Sequence, residues 1–330
     1  MALNRANALQ IIDPVLTNLA RRYVPHGFIY DQLVRRFPVQ TLSGQYPVFK
    51  KEDWFRSDPD NLVKDRTPSK EIDFSWSTEF YKCSEYGLKV SITDLERMQA
   101  HPALKLEQSK NDFLSLRMAL SREIRLANLL MDPASSAAVN GQGGLTSGNS
   151  ATPSAKWDTG TSNPEADLRA ASLAIYNSIG LHPNVLVVPY PVAYNLATQH
   201  GTDTFRGQML YTVNGQQAIR EGIGILPDMI HGMRVIIPLG PQTNSAPDSD
   251  GGLATGTQSE IWGKHVRLLY VENGAPWGTP SVCYQFQHTA PLVSRWRQND
   301  PDIDYIRQWE RTDERVVAPD AGYVLTSVIS

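Results

Sequence analysis

The stretch YPVFKKEDWFRSDPDNLVKDRTPSKEIDFSWSTEF, residues Tyr46–Phe80, begins and ends like a β-strand around a charged, proline-broken middle. Polar segments of this length usually serve as linkers, but this one carries Trp54, Phe55, Phe74 and Trp76. Leaving large aromatics in water forfeits the stabilisation of burying them, so a cluster of them marks a surface built to be covered. In the returning limb, FSWSTEF puts Phe74, Trp76, Thr78 and Phe80 on one face, because successive strand residues point to opposite sides. The outgoing limb QYPVFKKEDWF is also β-prone. Together they predict a long two-stranded excursion with a polar, irregular tip.

The strongest element follows. In LKLEQSKNDFLSLRMALSREIRLANLLMDP, residues Leu106, Phe113, Leu116, Leu120, Ile124, Ala127 and Met131 recur at helical spacing, with Pro102 before them and Asp132–Pro133 after. This predicts a long helix within about 100–131, and about 27 residues of it make a rod of about 40 Å. Upstream, residues 3–37 read as short helical pieces interrupted at Pro14, Pro25 and Gly27, with Leu9, Ile12, Leu16 and Leu19 at helical spacing. Such pieces cannot form a core alone, so this arm is expected to lie on something else.

The chain's 330 residues are 41% hydrophobic and 20% charged, with a net charge of −3, which suits a sizeable core and argues against a dedicated, strongly basic nucleic-acid binder. The charge is uneven. Residues 1–56 hold eight Arg and Lys, among them Arg21, Arg22, Arg35 and Arg36, against four acids. That suits either a neighbouring polyphosphate or acidic partner, or a solvated polar face. Cys83 and Cys283 stand far apart in no metal-ligand spacing, which fits two free thiols in a reducing cytoplasm. The N-terminal stretch lacks the apolar core of a signal peptide, and no apolar run is long enough to span a membrane.

Further along, residues 134–163 form a Gly/Ser/Thr-rich stretch read as an exposed loop pinned by Trp157. NPEADLRAASLAIYNSIG carries its own helix signals, with Asn163 as cap, Pro164 first, Glu165 in the first turn and Gly180 as terminator. NVLVVP, MRVIIP, HVRLLYV and SVCYQFQ are strand candidates. Near the C-terminal end, IDYIRQWERTDERVVA and AGYVLTSVI are β-rich limbs joined by a PDAG turn. The class is α+β, with strands drawn from both halves of the chain.

Catalytic motifs are missing. There is no P-loop, no intact dinucleotide fingerprint, no nucleophile elbow and no zinc-protease motif. DSDGG at Asp248–Gly252 lacks the third acidic position and the glycine offset of a calcium loop. Cys83 reads as a structural thiol. These readings predict no catalytic residues, no metal and no cofactor.

The order of parts (arm, β-excursion, long helix, Gly/Ser loop, compact α+β region, returning strands) resembles the major capsid proteins of tailed bacteriophages, the Hong Kong ninety-seven type fold shared by encapsulin shells and the herpesvirus capsid floor. The most specific match is TPSKEIDFSWSTEFYKCSEYGLKVSITDLERMQAHPALKLEQ running into LSREIRLANLLMDP, and WERTDERVVAPDAGYVLTSVI resembles the closing strands.

The resemblance implies an N-terminal arm at 1–45, an extended loop (E-loop) at 46–82, and a peripheral domain of 83–164 plus 296–330 containing the spine helix. An axial domain of 165–295 follows at the centre of each pentamer or hexamer. It implies inter-subunit contacts at Trp54, Phe55, Arg56, Lys64, Arg66, Phe74 and Trp76, and an interior basic arm of Arg21, Arg22, Arg35 and Arg36. The implied partners are copies of the chain, the portal, a separate scaffolding protein, a decoration protein and packaged double-stranded DNA held without base reading. The implied location is the virion, after assembly in the bacterial cytoplasm. Some family members crosslink a lysine to an asparagine; Lys50, Lys51, Lys64 and Lys70 match no such motif, so no crosslink is expected. An encapsulin-like shell around protein cargo is the alternative reading, and a cytosolic α+β enzyme with a dispersed site is a third.

Overall fold

The computed structural model describes residues 11–22, 27–48, 69, 77–100, 105–130, 145, 149–199, 226–239, 241–243, 258–272, 281–299 and 302–330. After a short strand β1 (Ile11–Ile12), helix α1 (Pro14–Arg22) starts where Asp13 accepts the N–H groups of Val15 at 2.9 Å and Leu16 at 3.0 Å. Pro14 stands at the first helical position, where a missing N–H costs nothing. A single turn α2 (Tyr30–Leu33) leads into β2 (Arg35–Pro38). Strands β3 (Ser43–Val48) and β4 (Ser77–Lys82) pair antiparallel from Ser43↔Lys82 to Val48↔Ser77, so the root of the excursion is a two-stranded ribbon. The chain continues through β5 (Ser84–Thr93) and α3 (Asp94–Gln99) into α4 (Leu106–Leu129), whose 24 residues span about 36 Å.

Beyond it come β6 (Ser150–Ala151), α5 (Pro164–Ile179), β7 (Val185–Val187) and α6 (Tyr190–Gln199). The hairpin β8 (Met229–Ile230) and β9 (Met233–Ile236), the pair β10 (Pro241–Thr243) and β11 (Gln258–Glu260), and β12 (Val266–Leu269) follow. The long strands β13 (Cys283–Asn299) and β14 (Asp302–Val316) precede β15 (Gly322–Leu325). Helix α5 starts and stops where its sequence signals lie. Asn163 Oδ1 accepts the Ala166 N–H at 3.1 Å, and Gly180 turns left-handed at φ 70°.

Two sheets organise the molecule. In the first, β1, β13, β14 and β5 run in that order and β2 adds parallel to β13. The β13–β14 ladder runs from Cys283↔Val316 to Asn299↔Asp302, irregular only between Gln287 and Leu292. The second sheet has six strands in the order β6, β15, β12, β7, β9, β8. Its central β7 and β12 are buried along their whole length, as strands covered on both faces must be. The turn at Pro319–Ala321 carries the chain from β14 in one sheet to β15 in the other. The main core joins the root of the ribbon, the C-terminal half of α4 and the six-stranded sheet. A smaller cluster of Leu16, Ala20, Ile92, Leu114, Val293 and Ile306 seats α1 and the N-terminal half of α4 on the first sheet.

Two sequence expectations change. The apolar stripe of α4 is not the buried face throughout: Phe113 is 51% exposed, while Asn111, Leu114, Ser115, Met118 and Glu123 are buried. Polar contacts outweigh the apolar pattern there, Asn111 donating to the Leu16 carbonyl, Ser115 to Gln308 on β14, and Glu123 accepting from Ile29, Tyr30 and Trp262. The stretch read as an exposed loop is woven into the core in part. Leu145 and Trp157 are buried, and β6 pairs parallel with β15. Trp157 does pin the segment, its backbone N–H donating to the Val328 carbonyl at 2.7 Å and its ring N–H to Asp167 at 2.8 Å.

Candidate assembly surface

The ribbon is two-faced. Tyr46, Val48 and Tyr81 turn into the core, where Tyr81 stacks on Phe286 with centroids 4.7 Å apart and Tyr46 packs on the same ring at 5.0 Å. Gly44 lies opposite Tyr81, and a Cβ there would come within 2.7 Å of the phenol oxygen, so glycine lets the ring lie flat. The other face carries Phe80, 66% exposed, opposite Gln45. Below the ribbon, the Lys82 N–H donates to Asp313 at 2.8 Å and the Cys83 N–H to the Leu42 carbonyl at 2.8 Å, fixing where the ribbon leaves the sheet. Burial raises the Asp313 carboxyl above its usual range and pushes the Cys83 thiol up to about 11.

The long helix is clamped to β14 by charge. Arg122 meets Glu310 through two prongs, Nε to Oε1 being 2.8 Å, and Arg125 meets Glu314 at 2.9 and 3.1 Å. The Arg125 guanidinium also lies 3.8 Å from the Tyr86 ring centroid. Tyr30 donates its hydroxyl to Glu314 at 3.1 Å; burial, with the Glu314 charge behind it, holds that phenol well above its usual range. Such pairs are bidentate, directional contacts that fix orientation.

Glu123, one helical position on from Arg122, is buried and takes three donors: the N–H groups of Ile29 at 3.2 Å and Tyr30 at 2.9 Å, and the Trp262 indole at 2.7 Å. One carboxylate thus caps the start of α2 and ties the helix to a tryptophan preceding β12. At the C-terminal end of α4, buried Arg267 donates to the Leu130 carbonyl at 3.0 Å and, at 3.1 Å or more, to those of His265 and Trp262. It puts a cation at the negative end of the helix dipole, while burial pulls its pKa down to about 9.

The residues singled out for inter-subunit contact, Trp54, Phe55, Arg56, Lys64, Arg66, Phe74 and Trp76, lie outside the described residues. The four arm arginines are described, and all are exposed except as their partners hold them. Arg21 donates to the Pro291 carbonyl at 3.0 Å and Arg36 pairs with Asp31 at 2.5 Å. Arg35 and Arg36 stand beside Tyr284 and Gln285, further down β13 from Pro291, so the two pairs do not converge. Sequence reasoning missed the buried clamp. Its signal was present: Glu310 and Glu314 fall on one face of a strand, and Arg122 and Arg125 on one face of a helix. Among the described residues no cluster of His, Cys, Asp or Glu could hold a metal.

A ribbon rooted beside a long helix, that helix ion-paired to a long two-stranded ladder, and a separate mixed sheet together make up the fold. The chain is 24% identical to the major capsid protein of Burkholderia phage BcepMu over 331 residues, covering 99% of each. A solved phage-related protein from Bordetella bronchiseptica RB50 matches at a TM-score of 0.69, with 20% identity and 97% of this chain and 99% of that one covered. The solved capsid structure of Cyanophage P-SCSP1u matches at 0.56, with 12% identity and 98% and 92% covered. No protein-family model matches the chain. Along nearly its whole length the chain is similar to phage major capsid proteins, and its fold is of the kind seen in a solved phage capsid.

Proposed function

We propose that this chain is the structural subunit of an icosahedral phage head, assembling as hexamers and pentamers around double-stranded DNA. The observation that carries the reading is similarity along 99% of the chain to a phage major capsid protein, on a fold of the same kind. An encapsulin-like shell would share the fold, and the name of this relative favours the phage reading.

On this reading the five-stranded sheet with α4 makes the peripheral unit, and the six-stranded sheet the axial unit. Residues 46–82 form the extended loop, whose Trp54, Phe55, Arg56, Lys64, Arg66, Phe74 and Trp76 meet the adjacent subunit. A polar rim of that composition sets register and partner choice more than affinity. Residues 1–45 form the arm, with Arg21, Arg22, Arg35 and Arg36 near packaged DNA through phosphate contacts. A portal, a separate scaffolding protein and a decoration protein complete the head, which assembles in the bacterial cytoplasm. Nuclease treatment of native particles tests this reading. Protected double-stranded DNA of one length supports it, and particles holding only protein cargo sink it in favour of an encapsulin.

A further inference from the structure

Beyond β15, residues 327–330 form a strap held between the 156–158 segment and the turn that precedes β12. Val328 and Ile329 enter the main core, while Ser327 and Ser330 are exposed. The Trp157 N–H donates to the Val328 carbonyl at 2.7 Å, and the Val328 N–H to the Lys264 carbonyl at 3.0 Å. Lys156 donates to the Ser327 carbonyl and Lys264 to that of Ser330, whose N–H donates to Asp158 at 2.9 Å.

One further bond depends on a titratable group. The Ser327 N–H donates to His265 Nδ1 at 3.1 Å. A backbone amide can only donate, so Nδ1 carries no proton and the imidazole is neutral, its proton on Nε2. The ring lies against the turn at Gly263, where φ is 60° and a Cβ would come within 3.2 Å of His265 Cδ2. Ser327 itself sits at φ 46°, a left-handed conformation that costs a serine energy, so its contacts must hold it there.

A proton added to Nδ1 turns the acceptor into a donor that faces another donor. The charges around the contact do not relieve this. Lys264 adjoins His265, Arg267 donates to the His265 carbonyl at 3.1 Å, and Lys156 holds the Ser327 carbonyl, against one acid on the strap, Asp158. Hydrogen bonds from Ser330 keep the Asp158 carboxyl below its usual range, so it stays ionised in mild acid. Glu260 opens the turn, its carbonyl accepting the Gly263 N–H at 3.3 Å, and burial raises its carboxyl.

We propose that His265 is an acid-sensitive latch, whose protonation releases the Ser327 N–H and loosens residues 327–330 from the six-stranded sheet. The bond is present while the imidazole is neutral and is lost as pH falls through its titration, which for an ordinary imidazole lies at about pH 6.5. The latch belongs to the single subunit and does not depend on the shell reading.

Hydrogen exchange of the full-length chain tests it, followed in the peptide containing residues 327–330 and corrected for the intrinsic effect of pH on exchange. Protection there should fall about tenfold between about pH 7.5 and about pH 5, the scale of one hydrogen bond. His265→Asn sets a carboxamide oxygen near the place of Nδ1, an acceptor that does not titrate, and its protection should be the same at both pH values. His265→Ala removes the acceptor, so its protection should already be low at the higher pH. Equal protection of the unmodified chain at both pH values overturns the latch. A pH-dependent loss that persists in His265→Asn does so too, by passing the effect to Glu260 or another group. Full protection of His265→Ala at the higher pH would likewise show that the bond holds nothing.

Discussion

Arg122 on the long helix and Glu310 on β14 face each other as a bidentate ion pair, with Glu310 wholly buried. With Arg125 and Glu314 next to them, they fix the rotation and depth of the helix against the ladder. Breaking one partner of a buried pair strands the other charge. Glu310→Ala should therefore destabilise the free subunit by about 3–5 kcal/mol, whereas Arg122→Met with Glu310→Leu should cost far less or nothing. Denaturant unfolding of both variants beside the unmodified chain checks this, and equal losses in the single and double variants would mean the pair is not the clamp.

Glu123 makes stability depend on pH. Burial holds its carboxyl above the usual range even though Ile29, Trp262 and Tyr30 all donate to it. A carboxyl whose folded pKa is raised contributes stability fully present below the unfolded value, about 4.3, and lost as pH rises through the folded value. Glu123→Gln cannot ionise, so its stability should decline less between pH 4 and pH 8 than that of the unmodified chain, beneath an overall loss of about 1–3 kcal/mol for imperfectly matched donors. Parallel slopes in unfolding experiments across that range would remove Glu123 from the account.

The root of the ribbon tolerates no side chain at position 44. A Cβ there would meet Tyr81 ring atoms at 2.8 and 2.9 Å, and Tyr81 cannot retreat because it stacks on Phe286. Gly44→Ala should cost about 1–3 kcal/mol through overpacking, and adding Tyr81→Leu should recover part of it. Thermal unfolding of the two variants decides this. No recovery in the double variant would show that the strain lies elsewhere.

Both thiols should be inert in the folded chain. Cys83 and Cys283 are free and buried, and burial raises both pKa values, Cys83 to about 11. Thiolate is the reactive form, so a chromogenic disulfide reagent at pH 8 should react with neither until denaturant is added. Rapid reaction of one equivalent under native conditions would contradict the packing around β4 and β13.

How much of this was legible in the sequence depended on whether a feature was local. Asn163, Pro164 and Gly180 bounded α5 because capping is settled within a few residues. The ribbon was legible from its strand-like limbs, and the buried run at Val185–Val187 from its continuous apolar character. The face of the long helix was not. Its apolar stripe pointed to Phe113, and the buried polar side chains Asn111, Ser115 and Glu123 took part of that place because their partners, on α1, α2, β14 and before β12, lie far away in sequence. The limits of the two sheets were lost for the same reason, since β15 joins β12 rather than its sequence neighbour β14. The aromatics Trp54 and Trp76 signalled a surface to be covered, and they lie outside the described residues.

The central claim is that this chain builds a closed shell. Electron microscopy of the purified, full-length protein tests it most directly. The account predicts closed icosahedral particles tens of nanometres across, formed of pentameric and hexameric clusters. A folded population that stays monomeric under all assembly conditions would contradict it.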